Sequence, residues 1–247
     1  MRRTIQTVST VLVALSLATS AMAQDSVPKE KPIKATGDIS FVKTGGNTDV
    51  TTLGLADKLE WKTSSRFTIK QNFSWVYGDD EGIISTNALL AGVRGEYGFS
   101  SRVLLFLGFN YDYDMFSGVK RRFEEYVGLG FNVIDHPKNL LRLEAGVSQF
   151  QEWELGTDDA YNFTAGRLAL DYKHLFTEKA YFQQILEFHP NFDNADDYRL
   201  RSETSLVAPI TGGLAIKVSY TLKYRGVPPE DVEGTDTVFR TGIQITY

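Results

Sequence analysis

The residues of this chain that could perform acid–base or nucleophilic chemistry are few. It contains three histidines, His136, His174 and His189, and no cysteine, which excludes thiolate metal sites, thiol nucleophiles and disulfides. His189 lies close in sequence to Asp193 and is the strongest candidate for a general base. A hydrolase would need a positioned Ser beside such a His, and the chain has no GxSxG motif. The sequence therefore predicts no catalytic residue, and a lipid hydrolase that uses His189 is the alternative.

Two acidic clusters could offer oxygen ligands to Ca²⁺ or Mg²⁺. One is 79–81 and the other consists of Asp193, Asp196 and Asp197. Neither has the spacing or the glycine of an EF-hand loop. The sequence predicts no resident metal and no cofactor, with solvated loops as the expected structure. Weak divalent bridging to lipopolysaccharide phosphates is the alternative.

The largest set of polar candidates consists of cations that alternate with apolar residues. From Thr36 onward the chain has a period of two, which indicates strands with one apolar face. The clearest example is 214–225, where the even positions are apolar and the odd positions are small, polar or cationic. The odd-position residues are Ala215, Lys217, Ser219, Thr221, Lys223 and Arg225.

This periodicity predicts about twelve strands. Many reach about 10 to 14 residues, whereas a globular strand usually has about 5 or 6 and a tilted bilayer-crossing strand needs roughly 9–11. We expect them near 36–44, 49–62, 66–77, 86–99, 102–115, 122–134, 139–151, 161–175, 180–192, 198–208, 213–225 and 237–247.

Short and long connections alternate from the second strand onward, which is typical of an up-and-down barrel. The predicted longer connections are 78–85, 116–121, 152–160, 193–197 and 226–236. We therefore predict an all-β fold, a transmembrane antiparallel barrel with both termini in the periplasm; the alternative is a soluble periplasmic β-protein. Aromatic residues that favour membrane interfaces fall at the strand ends. They are Trp61, Trp75, Tyr77, Tyr97, Tyr113, Tyr172, Tyr181, Tyr198 and Tyr224.

The N-terminal residues read as an export signal. A basic start, a short apolar run at 11–18 and the pattern Ala21-Met22-Ala23 predict a cleaved signal peptide over 1–23. The polar, proline-containing segment 24–35 is expected to be a mobile leader, and 36–247 the barrel. The predicted location is the outer membrane. The net charge of -5 argues against nucleic-acid binding.

The alternation along each strand predicts that somewhat more cations than anions face the barrel interior. Such a lumen would favour small anionic solutes, or mutual salt bridges would close it; both hypotheses stand. The candidate lumen-lining residues are Lys70, Arg94, Arg142, Arg201, Lys217 and Lys223.

Asp57 does not fit the pattern, because its parity places it among the lipid-facing Leu55 and Leu59. A charge at mid-depth on that face is unfavourable. The sequence leaves four explanations: a bulge, an offset strand, a contact with a second copy, or a groove.

Several short motifs resemble the salt-induced outer-membrane protein family of Gram-negative bacteria, over about Gly37 to Tyr247. They are Gly46-Asn47-Thr48-Asp49 with Leu53 and Leu55, Gly78 with Asn87, Arg94-Gly95-Glu96-Tyr97, the Tyr111–Phe116 segment, and Arg122 with Gly128-Leu129-Gly130. The resemblance implies an outer-membrane barrel without a settled activity, and a role in envelope integrity under osmotic stress. The expected partners are outer-membrane lipid, lipopolysaccharide and the barrel-assembly machinery, which would recognise the terminal Tyr247.

Overall fold

The computed structural model describes residues 32–45, 51–80, 83–115, 117–229 and 232–246. The predicted signal peptide, most of the predicted leader and Tyr247 lie outside the described residues. The strands are β1 (Ile33–Gly45), β2 (Thr51–Lys62), β3 (Phe67–Asp80), β4 (Ile83–Gly98), β5 (Val103–Asp114), β6 (Val119–His136), β7 (Asn139–Glu154), β8 (Ala160–Leu175), β9 (Tyr181–His189), β10 (Arg199–Thr211), β11 (Leu214–Arg225) and β12 (Thr235–Thr246).

These strands form one closed antiparallel barrel in which each strand pairs with its neighbours in sequence. Pairing of β1 with β12, as in Gly37 opposite Ile245, closes the ring. The prediction of a twelve-stranded, all-β, up-and-down barrel is confirmed. The described ranges contain no helix that is long and apolar enough to cross a membrane.

The two ends of the barrel differ in their connections. The turn end carries 63–66, 99–102, 137–138, 176–180 and 212–213, together with the start of β1 and the end of β12. The loop end carries the longest connections, 190–198 and 226–234.

Some predicted boundaries shift because hairpins extend further than the alternation indicates. The predicted long loop 78–85 is wrong, since β3 and β4 stay paired through Asp80 and Ile83 across a register shift at Gly78. β1 begins at Ile33, so the last residues of the predicted leader already pair with β2.

The outer face of the barrel is apolar. Leu53 and Leu107 are 70% and 66% exposed, and Trp61, Trp75 and further large apolar side chains share that face. Such a continuous apolar exterior is typical of a surface that meets lipid. One predicted interface aromatic is misplaced, because Tyr181 lines the interior and its hydroxyl donates to Gln244 Oε1 at 3.4 Å.

Asp57 lies on this outer face. It stands opposite Gly37 in β1 and Phe73 in β3. Across the described residues of these two ladders the register runs without a shift. The bulge and offset-strand explanations are therefore wrong, and a contact with a second copy or a groove remains.

The interior is filled unevenly. On the β4–β8 wall, Phe106 is fully buried under the guanidinium of Arg94, 4.0 Å from its ring centroid, and Phe150 stacks on Phe163. On the opposite wall the inward positions of β1–β3 and β12 are small. They include Ser40, Gly54, Ala56, Ser74 and Gly242. These small residues leave open space against β1–β3 and β12.

Candidate functional site

A cavity of about 870 Å³ runs through the barrel interior. It touches Lys34 and Thr36 at the turn end, and Pro228 and Val232 of the β11–β12 loop at the loop end. Thirteen Lys or Arg and ten Asp or Glu residues line it. Cations therefore outnumber carboxylates by three in the lining of this cavity, although the chain as a whole carries -5. Asp38, Asp114 and Glu152 lie behind the lining and pair with several of these cations.

All six candidate lumen cations line this cavity. Lys70 and Arg142 both contact Glu96, at 2.9 and 3.3 Å. Arg94 makes two parallel hydrogen bonds to Glu144, of 2.9 and 2.7 Å, a bidentate geometry that fixes both side chains.

The other three cations are also paired with carboxylates. Lys217 Nζ lies 2.9 Å from Asp38 Oδ2. Arg201 donates to Glu187 at 3.1 Å and also contacts Glu203. Lys223 contacts Asp114. The predicted excess of lumen cations is thus largely neutralised by ion pairs, which the period of two could not reveal.

The strongest ion-pair cluster was missed by the sequence interpretation. Glu152, predicted to lie in the connection 152–160, is 0% exposed at the end of β7 and contacts three arginines. Arg199 and Arg225 lie 2.9 and 2.8 Å from its oxygens, and Arg122 also donates to it. Its parity with Phe150 could have indicated this inward position.

Polar contacts cross the lumen near the loop end. Lys223 of β11 pairs with Asp114 of β5, and these strands lie on opposite walls of the ring. Ser117 Oγ donates to Asp236 Oδ2 at 3.1 Å. A methyl group on Gly118 would come within 3.2 Å of Val232, so the β11–β12 loop reaches the β5–β6 connection. These contacts define a constriction.

His189 lines the same cavity, but its contacts among the described residues include no nucleophilic hydroxyl. Its Nε2 lies 3.0 Å from an Arg167 nitrogen and 3.5 Å from Glu124 Oε1. The buried Ser148 hydroxyl donates to Glu124 at 2.7 Å. The carboxylate thus takes the place that His must occupy beside a nucleophilic Ser. Within the described part, His189 therefore belongs to an ion-pair network with Arg167 and Glu124, and Asp193 is not among its contacts.

One member of the acidic loop cluster, Asp197, is held by protein partners, whereas Asp193 and Asp196 are exposed. Asp197 accepts hydrogen bonds from the Tyr161 hydroxyl and the Asn191 amide, at 3.2 Å each, and is buried. Among the described residues no group of three or more His, Cys, Asp or Glu is placed to hold a metal ion.

Comparison with family models gives a match over residues 37–247 to a family described as "Protein of unknown function, DUF481". The chain belongs to this family. One relative is the "Uncharacterized protein YdiY" of Escherichia coli K12, which is 24% identical over 226 residues. The alignment covers 90% of this chain and 86% of the relative. The salt-induced designation suggested by the short motifs is not part of that description and stays a prediction.

Two porins share the barrel fold of this DUF481 member. The NanC porin aligns with a TM-score of 0.58 and 10% identity over 85% of this chain and 98% of its own. The KdgM porin in complex with disordered oligogalacturonate aligns with a TM-score of 0.51 and 13% identity over 86% and 99%. At this identity the likeness shows the fold alone: the barrel resembles outer-membrane porins.

Proposed function

We propose that this protein resides in the outer membrane and passes small solutes, preferentially anions, through its lumen. The observation that carries the proposal is the cavity of about 870 Å³ that touches both ends of the barrel. Its lining holds three more cationic than anionic residues, while three of the neutralising carboxylates, Asp38, Asp114 and Glu152, lie behind that lining. The groups that a solute would meet are thus mainly cationic, which favours anions in a narrow space. Two proteins of similar fold are porins, and one of them, KdgM, is known in complex with disordered oligogalacturonate.

The outer surface supports residence in a membrane. Closure of the barrel leaves no unpaired strand edge in lipid. The apolar exterior matches the hydrocarbon that would surround it. We assign the turn end to the periplasm, since barrels of this class have short periplasmic turns. Lipopolysaccharide is the proposed partner of the loop end, and Tyr247 the residue that the barrel-assembly machinery would recognise.

A sealed barrel that serves envelope integrity under osmotic stress is the second candidate function. The observation that favours it is the pairing of all six lumen cations with carboxylates, together with the constriction near the loop end. In both cases the barrel has no enzymatic activity.

Swelling of proteoliposomes separates the two functions. The full chain, refolded into phospholipid vesicles, should admit small anionic solutes such as lactate faster than cationic solutes of the same size. Vesicles with the heat-unfolded protein serve as the control. Swelling no faster than that control, from folded and heat-modifiable protein, would contradict passage through the lumen. Recovery of the exported protein in the soluble periplasmic fraction would contradict membrane residence.

A further inference from the structure

A side chamber lies beside the main cavity, against β1–β3 and β10–β12. Its volume is about 140 Å³, whereas one water molecule needs roughly 10–15 Å³ of such space. The chamber exists because inward positions there are small, such as Ser40, Gly54 and Gly242. It therefore has room for a solute of several heavy atoms.

The side chamber has an excess of positive charge. Five cationic residues and three carboxylates line it. Arg201, Lys217 and Lys223 are ion-paired. For Lys58 and Arg240 the described part of the chain provides no ion pair. These two cations are thus available to hold an anion. The full charged set is Lys58, Arg201, Lys217, Lys223 and Arg240 with Asp38, Asp112 and Glu203.

Three buried polar atoms of the chamber lining have no hydrogen-bond partner among the described residues. They are Arg240 Nε, Thr221 Oγ1 and Asp38 Oδ1. Buried polar atoms are nearly always hydrogen-bonded in folded proteins, so an exception needs an explanation. Arg240 Nε can only donate, Asp38 Oδ1 as a carboxylate oxygen can only accept, and a hydroxyl can do either. A ligand that satisfies all three atoms carries both acceptor oxygens and a donor.

We propose that the side chamber binds a small oxyanion that also carries a hydroxyl group, the class to which hydrogenphosphate belongs. Lys58, Arg240 and Thr221 bind its oxygens, and its hydroxyl donates to Asp38 Oδ1. The inference rests on the proposed function, since the anion reaches the chamber through the lumen. Sulfate has the oxygens but no hydroxyl at neutral pH, so it would leave Asp38 facing an anion without a donor. A site built around a ligand hydroxyl discriminates strongly against an analogue that lacks it.

Calorimetric titration of the full chain in detergent with inorganic phosphate tests this inference. Phosphate should bind at least about tenfold more tightly than sulfate at matched ionic strength. Lys58→Gln and Arg240→Gln should each weaken phosphate binding severalfold. Lys70→Gln, which removes the same charge from the main cavity outside the chamber, should leave phosphate binding unchanged. Asp38→Asn supplies a donor and should reduce the preference for phosphate over sulfate.

The outcomes separate the site from the channel when ion currents are recorded on the same preparation. Phosphate binding that requires Lys58 and Arg240 supports the site even if no current is seen, in which case only the proposed function fails. Currents without phosphate binding overturn the site and leave the channel intact. Equal affinity for phosphate and sulfate would overturn the site. So would a loss of phosphate affinity in Lys70→Gln as large as that in Lys58→Gln and Arg240→Gln, because the lumen as a whole would then attract the anion. Heat-modifiable migration confirms that each variant is folded.

Discussion

At the scale of single residues, the lumen is organised by carboxylates that each hold several cations. Glu96 contacts Lys70, Arg94 and Arg142. Glu152 contacts three arginines. Removal of one member of a buried ion pair is strongly unfavourable, because the remaining charges lose their compensation. The carboxylates are therefore the positions at which stability of the lumen is most sensitive.

Glu152→Gln should destabilise the barrel by about 3–5 kcal/mol, because three guanidinium groups would remain close together without a counter-charge. The midpoint of urea unfolding in phospholipid vesicles measures the change. Asp158→Asn is the matched control: Asp158 is 96% exposed and pairs with Lys120 at 2.7 Å, so its loss should be undetectable. Equal midpoints for the two variants would contradict the assigned role of Glu152.

At the scale of strands, alternation was a reliable guide because a barrel residue has only two environments, lumen or exterior. All twelve strands occur where the pattern predicts them, but several continue beyond the predicted ends. Those extensions convert predicted loop acids into lumen residues, as for Glu152 and the buried Asp236. Which charges meet across the lumen depends on the stagger of the strands. The Lys223–Asp114 pair, 109 positions apart in sequence, could not be predicted from parity.

Close approach between β6 and β7 depends on glycine. A methyl group on Gly128 would lie 2.5 Å from the carbonyl oxygen of Ala145 and 2.5 Å from Phe106. Gly128→Ala should therefore cost about 1–3 kcal/mol through overpacking, measured as a lower urea midpoint. Gly37→Ala on the outer face would meet no atom within 4 Å and should leave the midpoint unchanged. Loss of stability in Gly37→Ala instead would contradict this placement of the two glycines.

Asp57 on the outer face of β2 carries a second prediction at this scale. Asp57→Leu should raise the stability of the barrel in vesicles by roughly 1 kcal/mol, because a carboxylate in contact with lipid is replaced by an apolar side chain. Urea unfolding in vesicles measures the change. A lower midpoint, or the disappearance of an oligomer on native gels, would instead assign Asp57 to an interface between copies.

At the scale of the whole molecule, the charge of the lumen lining differs from the charge of the chain as a whole. The chain is acidic, yet cations outnumber carboxylates by three among the residues that line the main cavity. The total charge of the sequence thus gave no indication of the field that a solute would meet. The field is screened by ion pairs in most of the lumen, and the constriction near the loop end is formed by paired groups rather than by free ones.

The constriction predicts the effect of a shortened side chain. Lys223→Ala should increase single-channel conductance, because the group that spans the lumen toward Asp114 is removed. Lys70→Ala, on the wall of the main cavity, should change conductance less. Planar-bilayer recordings of the two variants measure the difference. A larger effect of Lys70→Ala would place the narrowest part of the lumen elsewhere.

Passage of anions through the lumen is tested most directly by currents across planar bilayers that hold the refolded full chain between unequal KCl concentrations. We predict discrete current steps and a reversal potential that is shifted from zero toward the equilibrium potential of chloride. Silent bilayers with folded, inserted protein, or a reversal potential that indicates cation preference, would contradict an anion-favouring channel.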